Sequence, residues 1–98
     1  MMASRYPKPI GDIPSDKLVD GVEYFVVYGN KSFPSFLRFK LDKGVIWGHS
    51  IWKGNSGYRT LGINFEEWAK RNDLNVFFDD VKLAVNYMEA LLSIPLPQ

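Results

Sequence analysis

Two alternating segments joined by a short glycine-containing loop constrain this chain more than any other feature. Residues 35–41 read SFLRFKL, so apolar and basic side chains fall on opposite faces of a strand. A second apolar segment, residues 45–52, follows after Asp-Lys-Gly. A three-residue hairpin loop needs a left-handed residue at its last position, and Gly44 adopts that conformation without steric cost. The sequence therefore predicts an antiparallel hairpin in which Leu41 pairs with Val45. A two-residue loop would reverse the faces of the second strand, but Lys-Gly is a poor type I′ pair compared with Asn-Gly.

This register assigns a face to each residue of the second hairpin strand, because side chains alternate along a strand. The residues expected on the core face are Val45, Trp47, His49 and Ile51. Trp52 is expected on the outer face, beside the basic residues of the preceding strand. Trp47 is thus predicted to be a core residue and Trp52 an exposed one.

The remaining segments predict an α+β fold: a four-stranded antiparallel meander followed by two helices packed on one face. Asn64 is expected to cap the first helix and Asp79 the second. A turn is expected at residues 54–57, and residues 72–78 are interpreted as a link between the helices. The predicted strands are 22–28, 35–41, 45–52 and 58–63, and the predicted helices are 65–72 and 80–93.

The N-terminal region differs in composition from the rest of the chain. Pro7, Pro9 and Pro14 favour an extended conformation, with one helical turn that Ser15 is expected to cap. We therefore divide the 98 residues into an extended arm, residues 1–20, and a single α+β domain, residues 21–98.

Composition excludes several classes of protein. The chain has no cysteine, so it has neither a disulfide framework nor a thiolate metal site. No apolar run reaches the ~20 residues that span a bilayer, and no apolar signal core follows the first methionine. These features predict a cytoplasmic protein that does not contact membranes.

Nothing in the sequence predicts catalysis, a metal site or a cofactor. His49 is the only histidine and is interpreted as a core imidazole. Ser50 follows it on the same strand, so the two side chains point to opposite faces and do not form a nucleophile–base pair. We expect no enzymatic activity, no metal and no cofactor.

Charge is distributed unevenly, which favours an anionic partner. Residues 31–60 contain six basic residues and one acidic residue, whereas residues 61–98 contain three basic and six acidic residues. A basic surface with interspersed aromatic rings is typical of single-stranded nucleic-acid binding, because cations hold phosphates and rings stack on bases. The residues predicted to form this surface are Phe36, Arg38, Lys40, Trp52, Lys53, Tyr58 and Arg59.

Residues 35–70 resemble the positive-cofactor-four family of transcriptional coactivators, which are small dimeric proteins that bind single-stranded DNA. The resemblance is strongest in GYRTLGINFEEW, residues 57–68, and Lys43–Gly44 corresponds to a basic glycine turn of that family. It implies a curved antiparallel sheet whose basic and aromatic residues bind the strand. The residues that match the family's strand-to-helix run are Gly62, Ile63, Asn64, Phe65, Glu67 and Trp68.

Two functions remain open from the sequence. The first is single-stranded nucleic-acid binding, as an accessory protein in transcription or replication. The alternative is a small protein-interaction module, such as a phage-encoded inhibitor, immunity or adaptor protein, because exposed tryptophan, tyrosine and arginine are also typical of protein-binding hot spots. The apolar stripe of residues 81–92 is expected to contribute to the core, and any uncovered part of it favours a homodimer.

Overall fold

The computed structural model describes residues 6–29 and 33–93 and confirms an α+β fold. A 3₁₀ turn precedes the sheet, and its N-terminal cap position is Pro14, with no side-chain cap from Ser15. The 3₁₀ turn is Ser15–Lys17, the strands are β1 (Tyr24–Gly29), β2 (Pro34–Asp42), β3 (Val45–Trp52), β4 (Asn55–Asn64) and β5 (Leu74–Phe78), and the helices are α1 (Phe65–Lys70) and α2 (Val81–Leu92).

The strands form one antiparallel sheet in the order β4-β3-β2-β1-β5. The first four strands make the predicted meander, but interpreting residues 72–78 as a link was wrong. β5 pairs with β1, with Phe78 opposite Phe25. Phe77 and Phe78 are both buried although they point to opposite faces. β5 therefore lacks the polar alternation that marks a half-buried strand.

The predicted hairpin register was wrong by one residue. Asp42 pairs with Val45 around a two-residue turn, in which Lys43 and Gly44 both have positive φ angles of 53° and 80°. This is the twist that two-residue hairpins require. The carboxylate of Asp20 accepts a hydrogen bond from the Lys43 backbone N–H at 2.9 Å and holds the turn.

The corrected register reverses the faces of β3. Ile46 lies opposite Leu41 and is fully buried. The residues that leave the predicted core face and lie with the basic residues of β2 are Val45, Trp47, His49 and Ile51.

A second Lys-Gly turn joins β3 to β4. Lys53 and Gly54 have φ angles of 51° and 80°, and Trp52 pairs with Asn55. The predicted turn at residues 54–57 was wrong, because β4 already begins at Asn55. The backbone of Trp52 belongs to β3. The Trp52 side chain lies outside the part of the chain that the structure describes, so its exposure stays a prediction.

The helices pack on opposite faces of the sheet, so the prediction that both cover one face was wrong. On one face, Trp68 of α1 packs on a cluster that includes Phe39 and Phe77. On the other, Tyr87 of α2 packs on a cluster that includes Phe78. Apolar side chains on both faces of β1 and β5 require cover from both sides, because burial of apolar surface stabilises the fold.

Each helix is capped by a side-chain oxygen of the residue that immediately precedes it. The Asn64 side chain accepts a hydrogen bond from the Glu67 N–H at 2.8 Å, as predicted. For α2 the cap is Asp80, which accepts from the Lys82 N–H at 2.7 Å, rather than the predicted Asp79. Neither helix has the length and apolar character needed to cross a membrane, among the residues described.

The N-terminal arm contacts the domain at β5 and α2. The Ile13 N–H donates to the Phe77 carbonyl at 2.7 Å, forming an isolated bridge. The Tyr87 hydroxyl donates to the Pro7 carbonyl at 2.9 Å. These contacts place residues 7–13 against β5 and α2, away from β4.

Candidate functional site

One part of the sheet is uncovered on the α2 side. α2 covers β1, β5 and the edge of Phe36, and its buried side chains pack in the cluster around Phe78. Beyond Phe36 the same face continues over β2, β3 and β4 without a helix. We call this surface the open face; its residues are Glu23, Arg38, Lys40, Trp47, His49 and Tyr58.

A cation and three aromatic side chains meet at the centre of the open face. Lys40 and Trp47 are cross-strand neighbours, and the Lys40 Nζ lies 4.4 Å from the centroid of the Tyr58 ring. His49 packs edge-on against Tyr58, with ring centroids 5.3 Å apart. Lys40, Trp47 and Tyr58 line a cleft of about 430 Å³, whose remaining lining residues are Gly21, Leu41 and the acidic Asp42. This volume is sufficient for a ligand of nucleotide size.

Glu23 connects the first strand of the meander to the last. Its carboxylate accepts a hydrogen bond from the Arg38 Nε at 2.8 Å and a second from the Tyr58 hydroxyl. Glu23 precedes β1, whereas Tyr58 belongs to β4, three strand spacings or roughly 14 Å away in a flat sheet. The two long side chains therefore bridge the outer strands of the meander across the open face.

These contacts shift the pKa values of Glu23, Arg38 and Tyr58. The hydrogen bond from Arg38, followed by that from Tyr58, lowers the pKa of Glu23 below its ordinary value. Hydrogen bonding to Glu23 raises the pKa of Arg38. Burial, followed by the hydrogen bond to Glu23, raises the pKa of Tyr58. At neutral pH the cluster thus consists of a carboxylate, a guanidinium and a protonated phenol that donates.

The structure brings together only part of the predicted site. Arg38, Lys40 and Tyr58 lie on the open face. Phe36 stands at its border, stacked on Phe25 with ring centroids 5.8 Å apart. Lys53 lies in the turn at the far end of the β3–β4 hairpin.

Arg59 and Trp52 do not complete the predicted group. Arg59 is exposed on β4 opposite Gly48, so it belongs to the other face of the sheet and its assignment to the same face was wrong. The predicted outward orientation of Trp52 depended on the three-residue loop, which the structure replaces with a two-residue turn. Its side chain is outside the described residues.

Sequence reasoning missed three residues of the open face. Trp47 and His49 were predicted in the core because of the register error, whereas both are half-buried on the open face. Glu23 was not predicted as a site residue because it lies 35 residues from Tyr58 in sequence. A signal for Trp47 and His49 was available, since a Lys-Gly pair also permits a two-residue turn.

The open face combines one basic and three aromatic side chains with the Glu23–Arg38 ion pair. In residues 6–29 and 33–93, no group of three or more His, Cys, Asp or Glu side chains is arranged to hold a metal ion. Comparisons of the chain with protein-family models, with curated proteins and with solved structures find no match. The resemblance of residues 35–70 to the positive-cofactor-four family therefore stays an observation from the sequence alone.

Proposed function

We propose that the open face binds single-stranded nucleic acid, and that it does so without catalysis. The observation that carries this proposal is the cleft formed by Lys40, Trp47 and Tyr58, where a cation lies beside two half-buried aromatic rings. Bases stack on aromatic side chains with ~1–3 kcal/mol each, and a neighbouring ammonium group neutralises a phosphate. The resemblance of residues 35–70 to a single-strand-binding family supports the same function.

The proposed roles differ from those expected from the sequence alone. Trp47 takes the stacking role assigned earlier to Trp52, and Tyr58 contributes the second ring. Lys40 contacts phosphate, while Arg38 is held by Glu23 and orients the cluster. The carboxylate of Glu23 repels phosphate, so it limits affinity and directs the strand towards Lys40.

A titration of a fluorescein-labelled single strand of about 20 nucleotides tests the proposal by anisotropy. Trp47→Ala is expected to weaken binding by ~1–3 kcal/mol, or roughly 5- to 150-fold, because one stacked base is lost. Lys40→Ala is expected to reduce the salt slope of log K by about 0.7, the value for one phosphate contact on a single strand.

Arg59→Ala provides the matched control, because it removes a cation from the opposite face of the sheet. We expect it to leave the affinity nearly unchanged. The proposal fails if the wild-type protein does not bind at about 50 mM salt, or if Arg59→Ala weakens binding as much as Lys40→Ala.

A protein partner is the second candidate, favoured by the exposed β4 edge. β4 is ten residues long and has one strand neighbour, so its other side offers backbone hydrogen bonds. Ile51 and Leu61 nearby are 75% and 44% exposed. A bulge between Thr60 and Asn64, with Gly62 at φ 70°, interrupts this edge only near its end. Absence of oligonucleotide binding at low salt favours this candidate over the first.

A further inference from the structure

α2 carries a second apolar row, of which Met88 packs against the core cluster while the other members are exposed. Ala84, Tyr87 and Leu91 are buried against the sheet. A separate row follows the spacing i, i+4, i+7, i+11, and its outer members are 46%, 42% and 65% exposed. The residues of this row, the exposed stripe, are Val81, Val85, Met88 and Leu92.

The exposed stripe continues onto the sheet through an apolar groove. Val81, Val85 and Met88 line this groove with Phe36, and Glu89 stands at its rim. The groove is separate from the cleft of the open face, which is lined by residues of β2, β3 and β4 and by Gly21. Adjacent apolar side chains at heptad spacing are typical of a surface that packs on another helix.

The two charges of α2 flank the exposed stripe in an unusual order. Lys82 and Glu89 are the only charged residues in the helix, and they are seven residues apart, so they lie on the same side. The lysine is near the helix N-terminus and the glutamate near the C-terminus, which is the reverse of what the helix dipole favours. Stability of the isolated helix therefore does not explain their placement.

A second copy of the same helix does explain it. In an antiparallel pair related by a two-fold axis near Val85, each Lys82 lies level with Glu89 of the other copy, and each stripe packs on the other. A two-fold interface must be self-complementary in this way. If residues 82 and 89 carried charges of the same sign, an antiparallel pair would place like charges opposite each other.

We propose that the exposed stripe is a homodimer interface in which α2 pairs antiparallel with α2 of a second copy. Val85 lies nearest the axis, with Val81 and Leu92 on either side, and Lys82 and Glu89 form two symmetric ion pairs at the margin. The interface is distinct from the proposed nucleic-acid surface, so each proposal stands or fails separately.

Sedimentation equilibrium over a range of protein concentrations measures the dimer directly. The wild-type protein is expected to dimerise, and Val85→Glu is expected to weaken dimerisation on the order of a hundredfold, because it buries an unpaired charge. Ile51→Glu is the matched control: Ile51 is 75% exposed, on β3, and its substitution is expected to leave the dimer unchanged. Circular dichroism confirms that both variants fold.

Charge reversal tests the antiparallel register. Lys82→Glu and Glu89→Lys are each expected to weaken the dimer roughly tenfold, by replacing attraction with repulsion in both symmetric pairs. Each substitution improves the match with the helix dipole, so neither is expected to lower the thermal stability of the monomer. The double variant K82E/E89K is expected to restore wild-type dimerisation. A wild-type protein that is monomeric at all concentrations, or a double variant that does not recover, overturns the proposal.

Discussion

The two halves of the sheet are built from similar residues but are packed differently. β1 and β5 carry apolar side chains on both faces, and a helix lies on each side. β3 and β4 are covered only near α1, since Arg59 on the same side is exposed, and their other face carries Trp47, His49 and Tyr58. The comparison indicates that aromatic residues in the covered half stabilise the fold, whereas those of the open face are only half-buried.

The sharpest test of this contrast uses two phenylalanines of β2 that point to opposite faces. Phe39 is fully buried among Tyr24, Phe65 and Phe77, so Phe39→Ala is expected to lower the free energy of unfolding by about 3–5 kcal/mol. Phe36 is 38% exposed at the border of the open face, and Phe36→Ala is expected to cost less than half of that. Urea denaturation measures both values, and equal losses contradict the contrast.

A smaller effect is expected from the contact that spans the two halves. Tyr58→Phe removes the hydroxyl that donates to Glu23 and is expected to destabilise the fold by about 1 kcal/mol. The ring remains over Lys40, so oligonucleotide affinity is expected to change by less than it does in Trp47→Ala. A larger loss of affinity in Tyr58→Phe assigns the binding role to the hydroxyl instead of the ring.

The same contact predicts a dependence on pH. Because the pKa of Glu23 is lower in the folded protein than in the unfolded chain, the carboxylate contributes stability at neutral pH. This contribution is lost as the pH falls below about 4 and through the lowered pKa. Thermal unfolding of the wild-type protein and Glu23→Gln from neutral to acid pH measures it. We expect the difference in Tm between the two to shrink as the pH falls, and a constant difference contradicts the assignment.

The smallest expected effect concerns the two Lys-Gly turns. Lys43→Asn and Lys53→Asn place a residue that tolerates left-handed conformations where lysine now has a φ angle of 53° or 51°. Each is expected to stabilise the protein by at most about 1 kcal/mol, because asparagine lowers the cost of the left-handed conformation. Lys17→Asn, at an exposed position in the 3₁₀ turn, is the control, and chemical denaturation compares the three variants.

These turns also explain how far the sequence predicts the fold. The alternation of residues 35–41 and the Asn64 cap are local signals, and both are confirmed. The register of β3 depends on one choice between two loop lengths. Lysine is uncommon at a positive φ angle, so composition favoured the longer loop, and every side chain of β3 changed face as a result.

The other errors have a tertiary origin. β5 was missed because its burial on both faces removes the alternation that identifies a strand, and its pairing with β1 involves residues about 50 positions apart. Because β1 and β5 carry apolar side chains on both faces of the sheet, the two helices pack on opposite faces. Within the open face, Arg38, Lys40 and Tyr58 were predictable from the sequence, whereas the Glu23 contacts depend on the tertiary arrangement of the strands.

The position of β5 has a consequence for how the protein folds during synthesis. β1 leaves the ribosome before β5, so one of its two neighbours is complete only when Phe78 has been made. Until then the meander exposes an unpaired strand edge and apolar side chains on both faces, the condition in which nascent chains associate wrongly. Pairing between such distant segments is intrinsically slow. We therefore expect the final docking of β5 to limit the folding rate and to be the stage at which this chain is most prone to aggregate.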